Sequence, residues 1–158
     1  MEAKLFTFRP IGVIHSPFTS LEDMPIQAAR STAPGRVEVF EPYVPGLLDV
    51  EGFSHIILLY VFDRIGETRL VVQPFLDDAP HGIFATRHPA RPNPIGLSVV
   101  ELLHREGASL HVAGLDVLDG TPLLDIKPYV PQFDRFDVAR TGWLRGQEER
   151  RPWKPRYK

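Results

Sequence analysis

The sequence predicts a mainly β protein, a small antiparallel or mixed β-barrel with a few short helices. Sixteen prolines and twelve glycines are scattered through the 158 residues, so few windows could hold a helix of average length. Apolar residues instead recur in short runs with the periodicity of strands. Because turn-forming residues separate these runs, a closed or nearly closed sheet is favoured.

The predicted strands follow from this periodicity. Residues 36–40 alternate apolar and polar side chains, whereas 55–62 is a near-continuous apolar run, typical of a strand buried on both faces. A hairpin turn is predicted at 106–109 and another turn at 119–122. The predicted strands are 8–15, 36–40, 55–62, 70–73, 97–105, 110–117 and 123–127.

The chain is predicted to form one barrel domain, residues 1–142, followed by a basic tail, residues 143–158. Short helices are expected at 43–48 and 133–138. The tail mixes Arg and Lys with aromatic side chains, so it would either contact a nucleic-acid backbone or form a solvated surface.

Composition excludes several classes of protein. The chain has no cysteine, which excludes disulfides, Cys-type zinc sites and a cysteine nucleophile, and it favours a reducing, cytoplasmic location. The first residues lack the pattern of a signal peptide, and the longest apolar run, 56–62, is too short to cross a bilayer. We therefore expect no membrane partner. The net charge of −2 gives no overall attraction for polyanions.

The histidines give no metal-binding pattern within a single element. None of the six lies at helical i, i+4 spacing from another or alternates with another along one strand. The sequence therefore predicts no metal, although a site assembled from distant strands is left open. His104 and His111 flank the predicted hairpin and are expected to face each other. Glycine-rich nucleotide and P-loop signatures are absent, which disfavours an ordinary Rossmann site.

A stiff polar segment lies in the middle of the chain. Residues 85–98 combine three prolines and a glycine with Arg87, Arg91 and Asn93. Proline fixes φ and removes its own donor, so this backbone suits holding side chains and carbonyls towards a ligand. An ordinary surface loop is the alternative, and the residues alone do not decide between the two.

Carboxylates cluster near the end of the predicted barrel. Asp116, Asp119 and Asp125 fall within ten residues of one another. Asp119 has a simple role as a turn aspartate. Asp125 and Lys127 would share one face of a strand, where they would form a surface ion pair or, beside a ligand, orient a substrate.

Four stretches of the sequence occur in the same order as in one known protein family, namely 10–18, 52–55, 84–96 and 119–129. They include the blocks A-T-R-x-x-x-R-P-N-P-I-G and D-G-T-P…D-I-K-P-Y. With them the chain resembles the TsaA-like family, whose characterised members are TrmO-type tRNA methyltransferases. The resemblance implies a β-barrel that binds S-adenosylmethionine and a homodimer with this cofactor near the subunit interface. It also implies methylation of N6 of threonylcarbamoyladenosine at position 37 of tRNA.

The resemblance further implies which residues contact the cofactor. Arg87 matches the family's arginine and would hold the methionyl carboxylate as a bidentate fork. Asp63 and Arg64 stand where the family usually has a more neutral pair. The implied cofactor-binding residues are Gln27, Ala28, Ala29, Asp63, Arg64, Arg87, Leu97, Gly114, Leu115 and Asp116.

Candidate catalytic residues come from the same blocks. Methyl transfer from a sulfonium chiefly requires two reactants to be held in line, and Asn93 or a neighbouring carbonyl would accept a hydrogen bond from the target amine. Asp125 and Lys127 would orient the substrate. Tyr129 would stack on the extruded base, and Arg91 would bind tRNA phosphate. Each of these side chains has a structural role as its alternative.

Three functions remain open at this point. The first is a tRNA methyltransferase that uses S-adenosylmethionine. The second is a non-catalytic barrel that binds the same metabolite for regulation, and the third is a methyltransferase acting on another substrate.

Overall fold

The computed structural model describes residues 3–20, 31–74 and 77–145, and its strands account for most of the regular structure in these ranges. The strands are β1 Gly12–His15, β2 Pro34–Val39, β3 His55–Val61, β4 Val71–Val72, β5 His81–Gly82, β6 Ile95–Glu106, β7 Ser109–Ala113 and β8 Thr121–Pro128. Six of them close into a barrel in the order β1-β2-β7-β6-β3-β8, and β4 and β5 form a separate two-stranded sheet. All pairs are antiparallel, which confirms the predicted mainly β barrel.

Helical segments within the described ranges are short. The helix expected at 43–48 is a 3₁₀ helix over Glu41–Leu47 that contains Pro45. The helix expected at 133–138 is a single turn, α1 at Pro131–Asp134. None of its residues is buried, so no packing supports a longer helix. Further 3₁₀ turns are Val50–Gly52, Ile83–Ala85 and Gly142–Leu144.

Inward side chains of the barrel strands form the apolar core. The residues with no exposed surface include Ile14, Val37, Ile56, Leu58, Leu110, Val112 and Leu123. Each such side chain stabilises the fold by about 1.5–3 kcal/mol through removal of apolar surface from water. The barrel interior is therefore packed rather than open.

The prediction that β3 is buried on both faces is wrong. Inward Ile56 and Leu58 are buried, whereas outward Ile57, Leu59 and Val61 are only partly covered. The apolar run arises because the outer surface of the barrel is also apolar at this strand.

Two strand boundaries differ from the prediction for local reasons. β1 begins only at Gly12, because Pro10 has no N–H to extend the pairing. β7 ends at Ala113, because Gly114 follows with a φ of 99° and turns the chain away from extended geometry. The short strand β5 was not predicted.

The two ends of the barrel differ. At one end, which we call the upper end, β3 runs into residues 62–64, β6 begins at Ile95 and β8 begins at Thr121. The opposite end carries the 3₁₀ segments Glu41–Leu47 and Val50–Gly52. Within the described ranges, no helix has the length and apolar character needed to span a membrane.

Candidate functional site

The loop 84–94 is fixed to the upper end of the barrel. Phe62 N–H donates to the carbonyl of Pro94 at 2.8 Å, and Arg69 N–H donates to that of Ala90 at 2.9 Å. Ala90 is itself buried. The stiff segment seen in the sequence is therefore anchored at its middle and at its end.

Arg91 contributes to that rigidity. Its Nη1 donates to the carbonyls of Thr86 at 2.7 Å and His88 at 3.1 Å. The guanidinium therefore bridges two carbonyls of its own loop. A contact between its other N–H donors and tRNA phosphate stays a prediction.

Arg87 and Asn93 present exposed side chains from this rigid loop. In the described part of the chain neither side chain makes a hydrogen bond or an ion pair, and the main-chain carbonyl of Asn93 accepts from Ile95 N–H at 2.7 Å. A guanidinium and an amide are thus held ready on the surface, which fits the roles predicted for them.

Leu97 and Asp125 lie in one row across the outer face of three strands. Leu59 of β3 is opposite Leu97 of β6 and also opposite Asp125 of β8. Neighbouring strands are about 4.8 Å apart, so the two residues are separated by about 10 Å. Leu97 is 49% exposed and Ile95, on the same face, is 42% exposed. The row joins an apolar surface to a carboxylate.

Asp125 and Lys127 form the ion pair that their spacing predicts. Lys127 Nζ lies 2.9 Å from Asp125 Oδ2, while Asp125 Oδ1 accepts from Ile126 N–H at 2.9 Å. Both side chains are about half exposed, so the pair alone adds little stability. Asp125 also lines a cavity of about 580 Å³ beside the 3₁₀ segment Glu41–Leu47.

Tyr129 lies at the far end of β8 from Thr121. Its N–H donates to the carbonyl of His55 at 3.1 Å, and its ring meets the His55 ring edge-on at 6.5 Å. Since β8 runs away from the upper end, Tyr129 is not brought beside Arg87 or Asn93 by the strand register.

Asp63 and Arg64 occupy the upper end directly after β3. Arg64 Nε donates to Asp63 Oδ1 at 3.2 Å, and Arg64 Nη2 donates to Thr121 Oγ1 at 3.2 Å. The two side chains thus form an ion pair with each other, and their contact with the cofactor stays a prediction.

Residues Gly114, Leu115 and Asp116 lie inside the barrel wall. All three are buried, and the carbonyl of Leu115 accepts from Ser31 Oγ at 2.5 Å. The side chains of Leu115 and Asp116 therefore support the wall from inside. Their predicted contact with the cofactor stays a prediction, and Gln27, Ala28 and Ala29 lie outside the described residues.

A buried polar chain that the sequence did not reveal lies behind the outer face. Ser98 Oγ donates to Asp116 Oδ1 at 2.5 Å and lies 2.7 Å from the hydroxyl of Tyr60. Gly96 leaves the room for Tyr60, since a Cβ there would lie 2.2 Å from the ring. A polar Ser98 at an inward position of an apolar strand was the available signal.

A second unpredicted cluster supports the loop from the other side. His81 Nε2 lies 2.7 Å from Asp77 Oδ2, and the His81 ring stacks on Trp143 with centroids 4.7 Å apart. Trp143 Nε1 donates to the carbonyl of Ala85 at 2.7 Å. The hydrogen bond from His81 lowers the pKa of Asp77 below its ordinary value, against the opposing effect of burial. The first residue of the predicted tail thus contacts the start of the loop.

Comparisons with known proteins agree with the motifs. The family model of the tRNA-methyltransferase O N-terminal domain matches residues 13–135. A probable S-adenosyl-L-methionine-binding protein of Pyrococcus abyssi is 55% identical over 141 residues, which cover 89% of this chain and 77% of that protein. The tRNA (adenine(37)-N6)-methyltransferase of Escherichia coli K12 is 40% identical over 137 residues, covering 80% of this chain.

A solved structure shows the same architecture. A crystal structure of TrmO superposes with a TM-score of 0.76 at 40% identity over 88% of this chain. The chain spans 64% of that TrmO chain and 58% of the Escherichia coli methyltransferase. By its motifs, its barrel and these matches, the chain belongs to the TrmO family and contains the family's N-terminal domain.

Proposed function

We propose that this protein is an S-adenosylmethionine-dependent methyltransferase that modifies N6 of adenosine 37 in tRNA, with threonylcarbamoyladenosine as the acceptor. The observation that carries the proposal is the 40% identity to the tRNA (adenine(37)-N6)-methyltransferase of Escherichia coli. The matched region includes the whole loop 84–94 and all of β8. A cytoplasmic location is part of the same proposal and agrees with the lack of cysteine.

The residues of the upper end fit the proposed cofactor. Arg87 offers an exposed guanidinium suited to a carboxylate, and Leu97 with Ile95 offers apolar surface suited to the less polar parts of the molecule. S-adenosylmethionine, when bound, supplies a methyl group that is already activated on a sulfonium. The protein is then required mainly to orient the two reactants.

The chain's own residues have separate parts in this mechanism. Arg87 binds and orients the donor, and its loop is held rigid by Arg91 through the carbonyls of Thr86 and His88. Asn93 accepts a hydrogen bond from N6–H of the adenine, which directs the nitrogen lone pair towards the methyl group. Formation of the new N–C bond would break the S–CH₃ bond of the donor, which would leave as the thioether S-adenosylhomocysteine, and the N6 proton would pass to solvent. Lys127, which Asp125 orients at 2.9 Å, contacts the RNA.

We also propose that the protein is a homodimer whose interface includes the outer face of β3 and β6. Ile95 and Leu97 are nearly half exposed, and Ile57 and Leu59 beside them are only partly covered. A second copy would remove from water the part of this apolar surface that the cofactor leaves uncovered, with the cofactor near the subunit interface. Sedimentation equilibrium tests this, and a monomer at micromolar concentration would contradict it.

A protein that binds S-adenosylmethionine without transferring its methyl group is the second candidate. It is favoured by the 55% identity to the Pyrococcus abyssi protein, whose name states binding alone. Two measurements separate the candidates. The first is calorimetry with S-adenosylmethionine, and the second is mass spectrometry of nucleosides from tRNA that has been incubated with the protein and S-adenosylmethionine. The enzyme predicts both saturable binding and a new N6-methylated nucleoside. Binding without that nucleoside would support the second candidate.

Asn93→Ala sharpens this test. Because Asn93 is exposed and its side chain has no partner in the described part of the chain, the substitution should leave the fold and cofactor affinity intact. Methyl transfer should fall about tenfold or more, the cost of losing one well-placed hydrogen bond. Equal transfer rates in Asn93→Ala and the native protein would remove Asn93 from the mechanism.

A further inference from the structure

The hairpin of β6 and β7 brings two imidazoles and a carboxylate together on the barrel surface. His104 and His111 are directly opposite each other in the strand register, and their rings are nearly parallel with centroids 4.3 Å apart. Glu106 Oε2 lies 3.3 Å from His111 Nε2. One ligand atom from each of the three residues lies within 4.8 Å of the other two. The expectation that the two histidines face each other is confirmed.

We propose that His104, Glu106 and His111 bind a divalent transition-metal ion, with Zn²⁺ as the reference ion. Two imidazole nitrogens and one carboxylate oxygen are a three-ligand set used in zinc sites that keep an open position. Imidazole also suits Cu²⁺ and Ni²⁺. Because the site faces solvent, water would take the remaining position of a bound ion. The site is separate from Arg87 and Asn93, and it does not depend on the proposed methyl transfer.

Side-chain rotations, including one that turns the stacked imidazole rings out of parallel so that both can face one ion, would bring the three ligands to coordination distance. Metal–nitrogen bonds of 2.0–2.1 Å in a tetrahedron place two ligand atoms about 3.3 Å apart. The Glu106 side chain is 78% exposed and that of His111 is 32% exposed, so both can rotate without disturbing the core. The backbone beneath them is already paired, and Gly107 with a φ of 60° makes the turn that sets the register. Binding therefore requires no ordering of a loop.

A positive charge on the neighbouring strand lies close to this site. Arg36 of β2 is opposite His111 in the sheet. Its Nη1 donates to Ser109 Oγ at 3.2 Å and lies 4.0 Å from Glu38 Oε2. The guanidinium is thus held by other partners, and the Glu106 carboxylate supplies the negative charge nearest to the imidazoles. These neighbours permit a site of moderate affinity.

The sequence did not predict this site because its ligands belong to two strands. His104 and His111 are seven positions apart, too far along one helix or one strand for both to bind the same ion. The hairpin register makes them neighbours, and a bulge between Leu102 and His104 sets that register. The expected absence of a metal rested on spacing within single elements.

Calorimetric titration of the tag-free full chain with Zn²⁺ tests the proposal. We expect one saturable site per chain, with the affinity reduced about tenfold or more in His104→Gln and in His111→Gln. His81→Gln is the matched control, because His81 also pairs with a carboxylate, Asp77, at 2.7 Å but lies outside the cluster. It should bind Zn²⁺ as the native chain does.

Thermal melting is the second measurement, and it compares the Tm of each variant in Zn²⁺ with the Tm of the same variant in EDTA. Zn²⁺ should raise the Tm of the native chain relative to EDTA, because an ion bound only by the folded state stabilises it. The increase should disappear in His104→Gln and persist in His81→Gln. The proposal is overturned if the native chain shows no saturable site, if His104→Gln and His111→Gln bind as well as the native chain, or if His81→Gln loses binding to the same extent.

Discussion

The two faces of β3 and β6 consist of alternating residues of the same strands, yet they differ in what they contact. On the inner face Tyr60, Gly96 and Ser98 are buried, and hydrogen bonds link Tyr60 to Ser98 and Ser98 to Asp116. On the outer face Leu59 and Leu97 are partly open to solvent beside Asp125. One residue step along β6 therefore separates a side chain needed for stability from one available for binding.

The inner face tolerates little change because its parts depend on each other. The Tyr60 ring lies over Gly96, meets Phe62 edge-on at 5.5 Å, and reaches Asp116 through Ser98. A buried hydroxyl that loses its partner costs about 1–3 kcal/mol. Displacing the ring would therefore disturb both packing and hydrogen bonding.

The largest expected effect on stability is that of Gly96→Ala. The added Cβ would lie 2.2 Å from Tyr60 and 2.7 Å from Phe62, and such overpacking costs about 1–3 kcal/mol. Differential scanning calorimetry should show a Tm lower by several degrees. Gly66→Ala is the control, since nothing lies within 4 Å of its added Cβ. Equal melting temperatures for the two variants would contradict the close packing at Gly96.

Much of the barrel could be predicted because local patterns agree with its topology. Alternation in β2, the apolar run of β3 and the turn at Gly107 each correspond to an observed element. The outward exposure of β3 could not be predicted, since a run of apolar residues has the same sequence pattern whether its outer face is buried or exposed to solvent. The Tyr60–Ser98–Asp116 chain needed the pairing of distant strands before its members became neighbours.

In the loop that leads into β6, Arg87→Lys should weaken cofactor binding without changing stability. Lysine keeps the positive charge but loses the planar fork that holds a carboxylate with two hydrogen bonds. Arg87 is exposed, and its side chain has no partner in the described ranges, so the Tm should stay unchanged. We expect S-adenosylmethionine affinity to fall about tenfold, or about 1.4 kcal/mol. An unchanged affinity in calorimetry would remove Arg87 from the cofactor site.

The candidate site could be predicted from the sequence only in part, because some of its residues become neighbours only when distant strands pair. Arg87, Asn93 and Leu97 are close in the sequence, because the loop 84–94 runs directly into the start of β6. Whether Asp125 joins them depends on β3, which lies between β6 and β8. The bonds of Arg91 to its own loop also could not be predicted, because they depend on how the prolines turn the backbone.

The smallest effect on stability is expected for Asp77→Asn, which tests whether the Asp77–His81 pair stabilises the loop 84–94. The His81 hydrogen bond lowers the pKa of Asp77, so the pair stabilises the fold above the ordinary aspartate pKa of about 3.9. This contribution is lost as pH falls through the lower pKa of the folded state. The native chain should therefore melt slightly above Asp77→Asn at pH 6, and the difference should shrink as the pH falls below the ordinary aspartate pKa.

The control for this pH dependence is Asp137→Asn. Asp137 is exposed and has no hydrogen bond or ion pair in the part of the chain that the structure describes. Its replacement should give the same small Tm difference at every pH. A pH-independent difference for Asp77→Asn would show that the Asp77–His81 pair does not stabilise the loop.

The most direct measurement of the central claim is the affinity of Leu97→Glu for S-adenosylmethionine. Leu97 and Leu103 lie on the same strand and are exposed to similar extents, 49% and 51%, so Leu103→Glu is the matched control. If the outer row formed with Leu59 and Asp125 binds the cofactor, calorimetry should show an affinity about tenfold or more weaker for Leu97→Glu. Leu103→Glu should bind as the native chain does. Native affinity in Leu97→Glu, or equal losses in both variants, would contradict the claim that this face binds the methyl donor.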